Sequence, residues 1–114
     1  MLVVEDEVLI RLATADDLRD EGFRVVEAAN ADEAWRYLSS HRVDAVVTDV
    51  RMPGSMDGLE LVRRVGQHFA WIARIIVSGH VASDLKVPGV EILQKPYDTR
   101  TVSSLIRKSL GSKG

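Results

Sequence analysis

Short runs of apolar and β-branched residues alternate along the chain with stretches in which apolar residues recur at helical spacing. Such runs, bounded by turn residues, are typical of strands. They predict strands at residues 2–4, 23–28, 43–48, 74–77 and 90–93. Residues 43–50 and 73–77 are apolar almost throughout, as is usual for strands covered on both faces. The alternation predicts an α/β fold with a parallel sheet, in which these two strands are central.

The intervening stretches have helix signals. Residues 7–20 have apolar residues near helical spacing, and we expect these to face the core. They are Val8, Leu9, Leu12, Ala15 and Leu18. Two later helices are predicted to begin at capping boxes, formed by Asn30 with Glu33 and by Asp57 with Glu60. Asp98 can cap the last helix.

The weakest signal lies between the fourth and fifth strands. Residues 79–89 read GHVASDLKVPG, which leaves little more than one helical turn before the Pro-Gly pair. We therefore expect a short or missing fourth helix. The pattern predicts one domain over residues 1–110, followed by a flexible tail at residues 111–114.

Composition narrows the function classes. The 114 residues have a formal net charge of −2 with acids and bases interleaved, so no basic surface for direct nucleic-acid binding is expected. The absence of cysteine excludes thiol chemistry and cysteine zinc sites. No apolar run is long enough to span a membrane, and the N-terminus becomes acidic too early for a secretory signal. We expect a soluble, cytoplasmic protein without membrane contact.

Acidic residues follow two of the predicted strands. Glu5 and Asp6 come after the first strand, and Asp49 comes after the third. Ligand sites in open parallel sheets form beyond the carboxyl ends of the strands. If the first and third strands are neighbours, as in the flavodoxin-like order 2-1-3-4-5, these three carboxylates converge. Crowded carboxylates favour a bound cation, and an all-oxygen donor set favours Mg²⁺, with Mn²⁺ as the alternative.

Two further polar residues follow the remaining strands. Ser78 comes after the fourth strand, and Lys95 comes after the fifth and precedes Pro96. Together with the carboxylates they suit phosphoryl transfer, in which Asp49 attacks as the nucleophile. A metal ion and the Lys95 ammonium would offset the charge on the phosphoryl oxygens, and the Ser78 hydroxyl would donate to one of them.

Four motifs in order give the chain a family resemblance. They are VVEDE at residues 3–7, VVTDVRMPGSMDG at 46–58, IIVSGH at 75–80 and LQKPY at 93–97. With these motifs the sequence resembles the receiver domain family of response regulators along essentially its whole length. The resemblance implies that Asp49 is the phosphoacceptor, Asp6 a direct metal ligand, Glu5 a ligand through water, and the Arg51 backbone carbonyl a further ligand. It also implies that Ser78 is the switch hydroxyl, and that Lys95 pairs with the phosphoryl group.

Three positions depart from the family pattern. Ile92 occupies the place of the usual aromatic switch residue on the fifth strand. Only 17 positions separate Ser78 from Lys95, several fewer than in the chemotaxis receiver, and the loss falls on the fourth helix. Arg51 and His80 occupy the two positions that tune the lifetime of the phosphoryl group.

The resemblance implies a signalling module of a two-component phosphorelay. A histidine kinase or phosphotransfer protein would supply the phosphoryl group, and the domain would catalyse only its own phosphorylation and dephosphorylation. The downstream protein target is unknown, and a homodimer stays open.

Two alternatives remain. One is a receiver-like interaction domain that is independent of phosphorylation, which Ile92 and the short fourth helix favour. The other is a phosphatase of the haloacid dehalogenase type. Arg51 argues against the phosphatase, because those enzymes have a second Asp at that position.

Overall fold

The computed structural model describes residues 1–52, 54–79 and 86–111, apart from the side chains of residues 110 and 111. In these ranges strands alternate with helices as far as the fourth strand, after which the next described element is the fifth strand. The elements are β1 (Leu2–Val4), α1 (Val8–Asp20), β2 (Val26–Ala28), α2 (Ala31–Leu38), β3 (Ala45–Asp49), α3 (Gly58–His68), β4 (Ala73–Ser78), β5 (Val90–Gln94) and α4 (Thr99–Gly111).

The five strands form one parallel sheet in the order β2-β1-β3-β4-β5. This confirms the predicted α/β fold class and strand order, with β3 and β4 inside the sheet. Buried apolar side chains cover both faces. The cluster on one face includes Ala34, Val46 and Leu61 and involves α2 and α3. The cluster on the other face includes Leu18, Val47 and Ile106 and involves α1 and α4.

The predicted helix caps are present. The Asn30 side chain accepts a hydrogen bond from the Glu33 amide at 2.8 Å, and Asp57 accepts one from the Glu60 amide at 2.8 Å. At the start of α4 the Asp98 carboxylate accepts a hydrogen bond from the Arg100 amide at 2.8 Å. Each bond satisfies one of the amide donors that a helix leaves unpaired at its beginning.

The second strand is shorter than predicted, because residues 23–25 lie outside the sheet ladder. The Phe23 amide donates to the Leu18 carbonyl at the end of α1, so it is not available to a neighbouring strand. Phe23 and Val25 still pack against the apolar cluster on the α1 side of the sheet. Their apolar character therefore reflects packing and not strand pairing, so the predicted start of this strand at residue 23 is wrong.

The predicted inward face of α1 is wrong in its first half. Ala15 and Leu18 are buried, but Val8 and Leu12 are about half exposed and Leu9 is 82% exposed. The inward stripe runs through Arg11, Ala15 and Leu18, at positions i, i+4 and i+7, and the Arg11 side chain is only 16% exposed. A polar residue therefore occupies the face at its first turn, and the apolar residues beside it turn outward.

The prediction of a short or missing fourth helix falls mainly on residues 80–85, which lie outside the described residues. Residues 86–89, which follow them, form a turn before β5 rather than a helix. At the end of the chain, residue 111 belongs to α4, so the predicted tail does not begin there. No helix in the described ranges is long and apolar enough to cross a membrane.

Candidate functional site

The ends of four strands place the predicted site residues at one edge of the sheet. Val4 pairs with Thr48, so Glu5 and Asp49 follow at adjacent positions on neighbouring strands. On the other side of β3, Asp49 pairs with Val77, and Ser78 pairs with Gln94 in turn. Because all the strands are parallel, Glu5, Asp49, Ser78 and Lys95 share the carboxyl edge, where ligand sites of such sheets form.

Lys95 joins two of the carboxylates. Its ammonium nitrogen lies 3.1 Å from Glu5 Oε1 and 2.9 Å from Asp49 Oδ2. All three side chains are largely withdrawn from solvent, with exposed fractions of 25% for Lys95, 6% for Glu5 and 18% for Asp49. The structure therefore brings together an acid from the end of β1, an acid from the end of β3 and a base from the end of β5.

Glu5 is the buried acid of the site. Burial raises the pKa of its carboxyl group, and contact with the Asp6 carboxyl raises it further. The hydrogen bonds from the Glu7 amide and from Lys95 oppose this rise without cancelling it. Asp6 itself is exposed. Glu5 and Asp6 thus form a close acid pair of which one member faces solvent.

Lys95 is held in its charged form. Burial alone would lower the pKa of its ammonium group, but the hydrogen bonds and charges of Asp49 and Glu5 outweigh burial and raise this pKa. The ammonium is a single charge shared between two carboxylates. Counting Asp6 as well, this edge of the sheet holds three carboxyl groups beside the one ammonium group.

Both oxygens of the Asp49 carboxylate have partners. Oδ2 accepts from Lys95, and Oδ1 accepts from the Arg51 amide at 3.3 Å. The Arg51 side chain is exposed. The predicted role of its carbonyl as a metal ligand stays a prediction, as does its influence on phosphoryl lifetime.

Gly58 is a site residue that the sequence reasoning missed. A Cβ atom at this position would lie 1.7 Å from the Asp49 carbonyl oxygen and 3.0 Å from Thr48 Oγ1. The Gly58 amide also donates to the Val50 carbonyl at 2.9 Å. α3 therefore begins directly against the backbone of Asp49, which only glycine permits. The available signal was a glycine immediately after the N-cap Asp57, where most other residues form a helix more readily.

The remaining predicted residues are placed differently. Ser78 is buried, and its carbonyl accepts a hydrogen bond from the Lys95 amide at 2.7 Å, so the two residues are adjacent through their backbones. Ile92 is half-buried on β5 and pairs with Ile76. His80 lies outside the described residues. The roles proposed for Ser78 and His80 stay predictions.

The donor chemistry fits Mg²⁺ better than a softer metal. The acids of this edge supply only oxygen, and their excess negative charge suits a divalent cation. Among the described residues, no three carboxylate or imidazole side chains are already grouped to hold a metal ion. Lys95 instead contacts both Glu5 and Asp49. A metal site would therefore use the open, solvent-facing side of the cluster, where Asp6 lies.

An apolar surface adjoins the site. The outward residues of α1 and the segment after Lys95 form an open groove of about 570 Å³. Leu9, Ile10, Pro96 and Tyr97 are among its lining residues, and Lys95 lines it as well. The Thr14 and Tyr97 hydroxyls lie 3.4 Å apart across the groove. A group of exposed apolar side chains beside a polar site is typical of protein contact surfaces.

A family model described as "Response regulator receiver domain" matches residues 1–107. A putative NtrX-like response regulator of Rickettsia felis is 31% identical over 96% of this chain and 24% of its own length. The hydrogenase transcriptional regulatory protein HoxA of Cupriavidus necator is 32% identical over 100% of this chain and 24% of its own length. The chain therefore spans about a quarter of the length of these relatives.

Solved structures agree with the sequence matches. A response regulator receiver protein from Sinorhizobium medicae has a TM-score of 0.89 and 26% identity, with 99% of this chain and 94% of that chain covered. The receiver domain of NtrX from Brucella abortus has a TM-score of 0.85 and 27% identity, with 97% and 98% covered. The similarity thus covers the whole sheet and the helices around it.

Proposed function

The chain belongs to the response regulator receiver domain family, the phosphoacceptor modules of two-component signalling, and we propose that Asp49 is the residue that accepts its phosphoryl group. The observation that supports this assignment best is the pair of contacts made by Lys95 with Glu5 and Asp49. It joins a candidate nucleophile, a cation-binding acid and a fixed positive charge at one edge of the sheet.

The reaction would be an in-line displacement. An oxygen of the Asp49 carboxylate forms a bond to phosphorus while the bond between phosphorus and the imidazole nitrogen of a donor phosphohistidine breaks. The imidazole leaves with the electron pair of that bond. The product is an acyl phosphate on Asp49.

Lys95 would stabilise the negative charge both before and after this step. Its ammonium donates to Asp49 Oδ2 before the reaction, and phosphorylation moves the negative charge outward onto the phosphoryl oxygens. Asp6 and Glu5 would hold Mg²⁺, directly and through water, and the ion would offset charge on the same oxygens. The Ser78 hydroxyl, the Arg51 carbonyl and His80 keep the roles that the family pattern gives them as parts of this proposal.

The phosphodonor would be a histidine kinase or phosphotransfer protein that docks on the apolar surface of α1. That surface is next to Lys95, so a partner seated on it would have its phosphohistidine close to Asp49.

A cytoplasmic location belongs to the same proposal. The domain acts as a signalling module, so the phosphatase alternative has no support from the family assignment.

Labelling with a small-molecule phosphodonor tests the proposal. The chain is incubated with acetyl phosphate with and without Mg²⁺, and intact mass is measured. We expect one phosphoryl group in the wild type with Mg²⁺ and none after Asp49→Asn. Asp44→Asn is the matched control, since Asp44 is an exposed acid just before β3 at the opposite edge of the sheet.

Two results would contradict the proposal. One is labelling that persists after Asp49→Asn at the wild-type rate. The other is an unlabelled wild-type chain that nevertheless binds its partner proteins, which would favour the interaction domain that works without phosphorylation.

A further inference from the structure

Arg11, near the start of α1, connects that helix to the backbone of Glu5 in the site. Its guanidinium Nη1 donates to the Glu5 carbonyl at 2.9 Å, and its Nε lies 3.3 Å from Glu27 Oε1 on β2. The side chain is 16% exposed and occupies the inward stripe of the helix, where an apolar residue is usual. A charged residue in that position is explained by the carbonyl and the carboxylate that it contacts.

The Glu5 backbone is held from both sides. Its amide donates to the Ala28 carbonyl at 3.1 Å, while its own carbonyl accepts from Arg11. The Glu5 carbonyl belongs to the peptide unit that joins Glu5 to Asp6. Holding that peptide plane therefore holds the N–Cα bond of Asp6, from whose Cα the side chain branches, and so restricts where its carboxylate can lie.

Glu27 in turn holds Arg11. It is 22% exposed and also pairs with Arg19 Nη2 at 3.3 Å. Arg19 is more exposed, at 42%, and its other hydrogen bonds go to Asp16 and the Val25 carbonyl rather than to Glu5. The two arginines therefore share one carboxylate partner, but only Arg11 reaches the Glu5 carbonyl.

We infer that Arg11 is a positioning residue that sets the geometry of the Glu5–Asp6 acid pair toward a divalent cation. The inference rests on the proposed function, because it assigns these acids to Mg²⁺. Residues that orient metal ligands typically change metal affinity by roughly 10–100-fold when they are removed.

Electrostatics alone predicts the opposite sign for the loss of Arg11. Removing a positive charge close to a cation site weakens repulsion of the cation, so a purely electrostatic role would make Arg11→Met bind Mg²⁺ more tightly. A positioning role makes the same variant bind Mg²⁺ more weakly. The direction of the change in Mg²⁺ affinity therefore distinguishes a positioning role from a purely electrostatic one.

The test is calorimetric titration of Mg²⁺, and of Mn²⁺ followed by electron paramagnetic resonance, into the wild type and three variants. We expect Arg11→Met to weaken affinity by roughly tenfold. The affinity of Arg11→Lys should fall between those of Arg11→Met and the wild type. Its ammonium can donate to the Glu5 carbonyl without also binding Glu27. Arg19→Met removes an equal charge and a contact with the same Glu27 carboxylate, and its Mg²⁺ affinity should stay close to that of the wild type.

Acetyl phosphate labelling adds a second readout. In Arg11→Met the Mg²⁺ concentration for half-maximal rate should rise, while the rate at saturating Mg²⁺ returns close to that of the wild type. General damage to the fold would lower the saturated rate as well. Unchanged or tighter binding in Arg11→Met, or equal weakening in Arg19→Met, would overturn the inference.

Two controls keep the result decisive. If Arg11→Met does not fold, Arg11→Lys decides, and wild-type affinity in that variant counts against the inference. If the wild type binds no Mg²⁺, or binds it equally well after Asp6→Asn, the proposed function fails instead, independently of Arg11.

Discussion

At the scale of single residues, the site is held by one positive charge between two acids. Lys95 satisfies Glu5 and Asp49 together, and their charges raise its pKa above the ordinary value of 10.5 despite burial. Without Lys95, two largely buried carboxylates would face each other with no charge between them. The same residue that would assist phosphoryl transfer therefore stabilises the unphosphorylated chain.

Replacing Lys95 by Met should lower the free energy of unfolding at pH 8 without added metal by about 1.5–3 kcal/mol, the range for hydrogen bonds to charged groups. Because the folded-state pKa is raised, the stabilisation is complete below pH 10.5 and is lost as the pH rises through the folded-state pKa. Urea unfolding of the wild type and of Lys95→Met, from pH 8 to above pH 10.5, measures the difference in their free energies of unfolding. A difference between them that stays constant from pH 8 to well above 10.5 would contradict this account.

Gly58→Ala should damage both stability and phosphorylation, because the new methyl group meets the Asp49 carbonyl. We expect a loss of about 1–3 kcal/mol from overpacking, and a fall of roughly 100-fold in the rate of acetyl phosphate labelling if Asp49 is displaced. Gly79→Ala is the stability control, since a Cβ there would meet no atom of the described residues within 4 Å. Equal stability of Gly58→Ala and Gly79→Ala would contradict the close contact between Gly58 and the Asp49 carbonyl.

The sequence could predict the acids and Lys95 because each directly follows an apolar strand, and parallel strands bring such positions together. It could not predict Gly58 or Arg11. Gly58 is explained by a contact of α3 with the backbone of β3, and Arg11 by a carbonyl at the end of β1. Both partners are main-chain atoms, which leave no trace in the pattern of side chains.

At the scale of elements, α1 has two separate surfaces. Its second half packs through Ala15 and Leu18, whereas Leu9 and its apolar neighbours remain outside. Apolar periodicity placed both sets on one inward face. That prediction is wrong because Arg11 takes the inward position of the first turn, which leaves the apolar residues beside it exposed.

Leu9→Glu tests the outer surface of α1. We expect phosphotransfer from a phosphorylated histidine kinase to slow by roughly tenfold or more, as for a contact residue worth over 1 kcal/mol, while acetyl phosphate labelling is unchanged. Trp71→Glu is the control, because Trp71 is another exposed large apolar residue, at 43% against 82% for Leu9, and it lies before β4 at the opposite edge of the sheet. Kinase-dependent transfer that is equally slow in both variants, or normal in Leu9→Glu, would remove α1 from the docking surface.

At the scale of the whole molecule, the parallel sheet accounts for both the predictable and the unpredictable features. Strand order followed from the flavodoxin-like arrangement, and the structure confirms it. Strand length did not follow, since the Phe23 amide is taken by the end of α1. Long-range order was thus visible in the alternation of elements, whereas local boundaries depended on individual hydrogen bonds.

The most direct measurement of the central claim locates the acyl phosphate itself. The chain is phosphorylated with acetyl phosphate and Mg²⁺ and then reduced with borohydride, which converts a phosphorylated aspartate to homoserine. Peptide mass spectrometry then identifies the position. We expect homoserine at position 49 and nowhere else; reduction at Glu5 or Asp6, or at no acid of the carboxyl edge, would contradict the account.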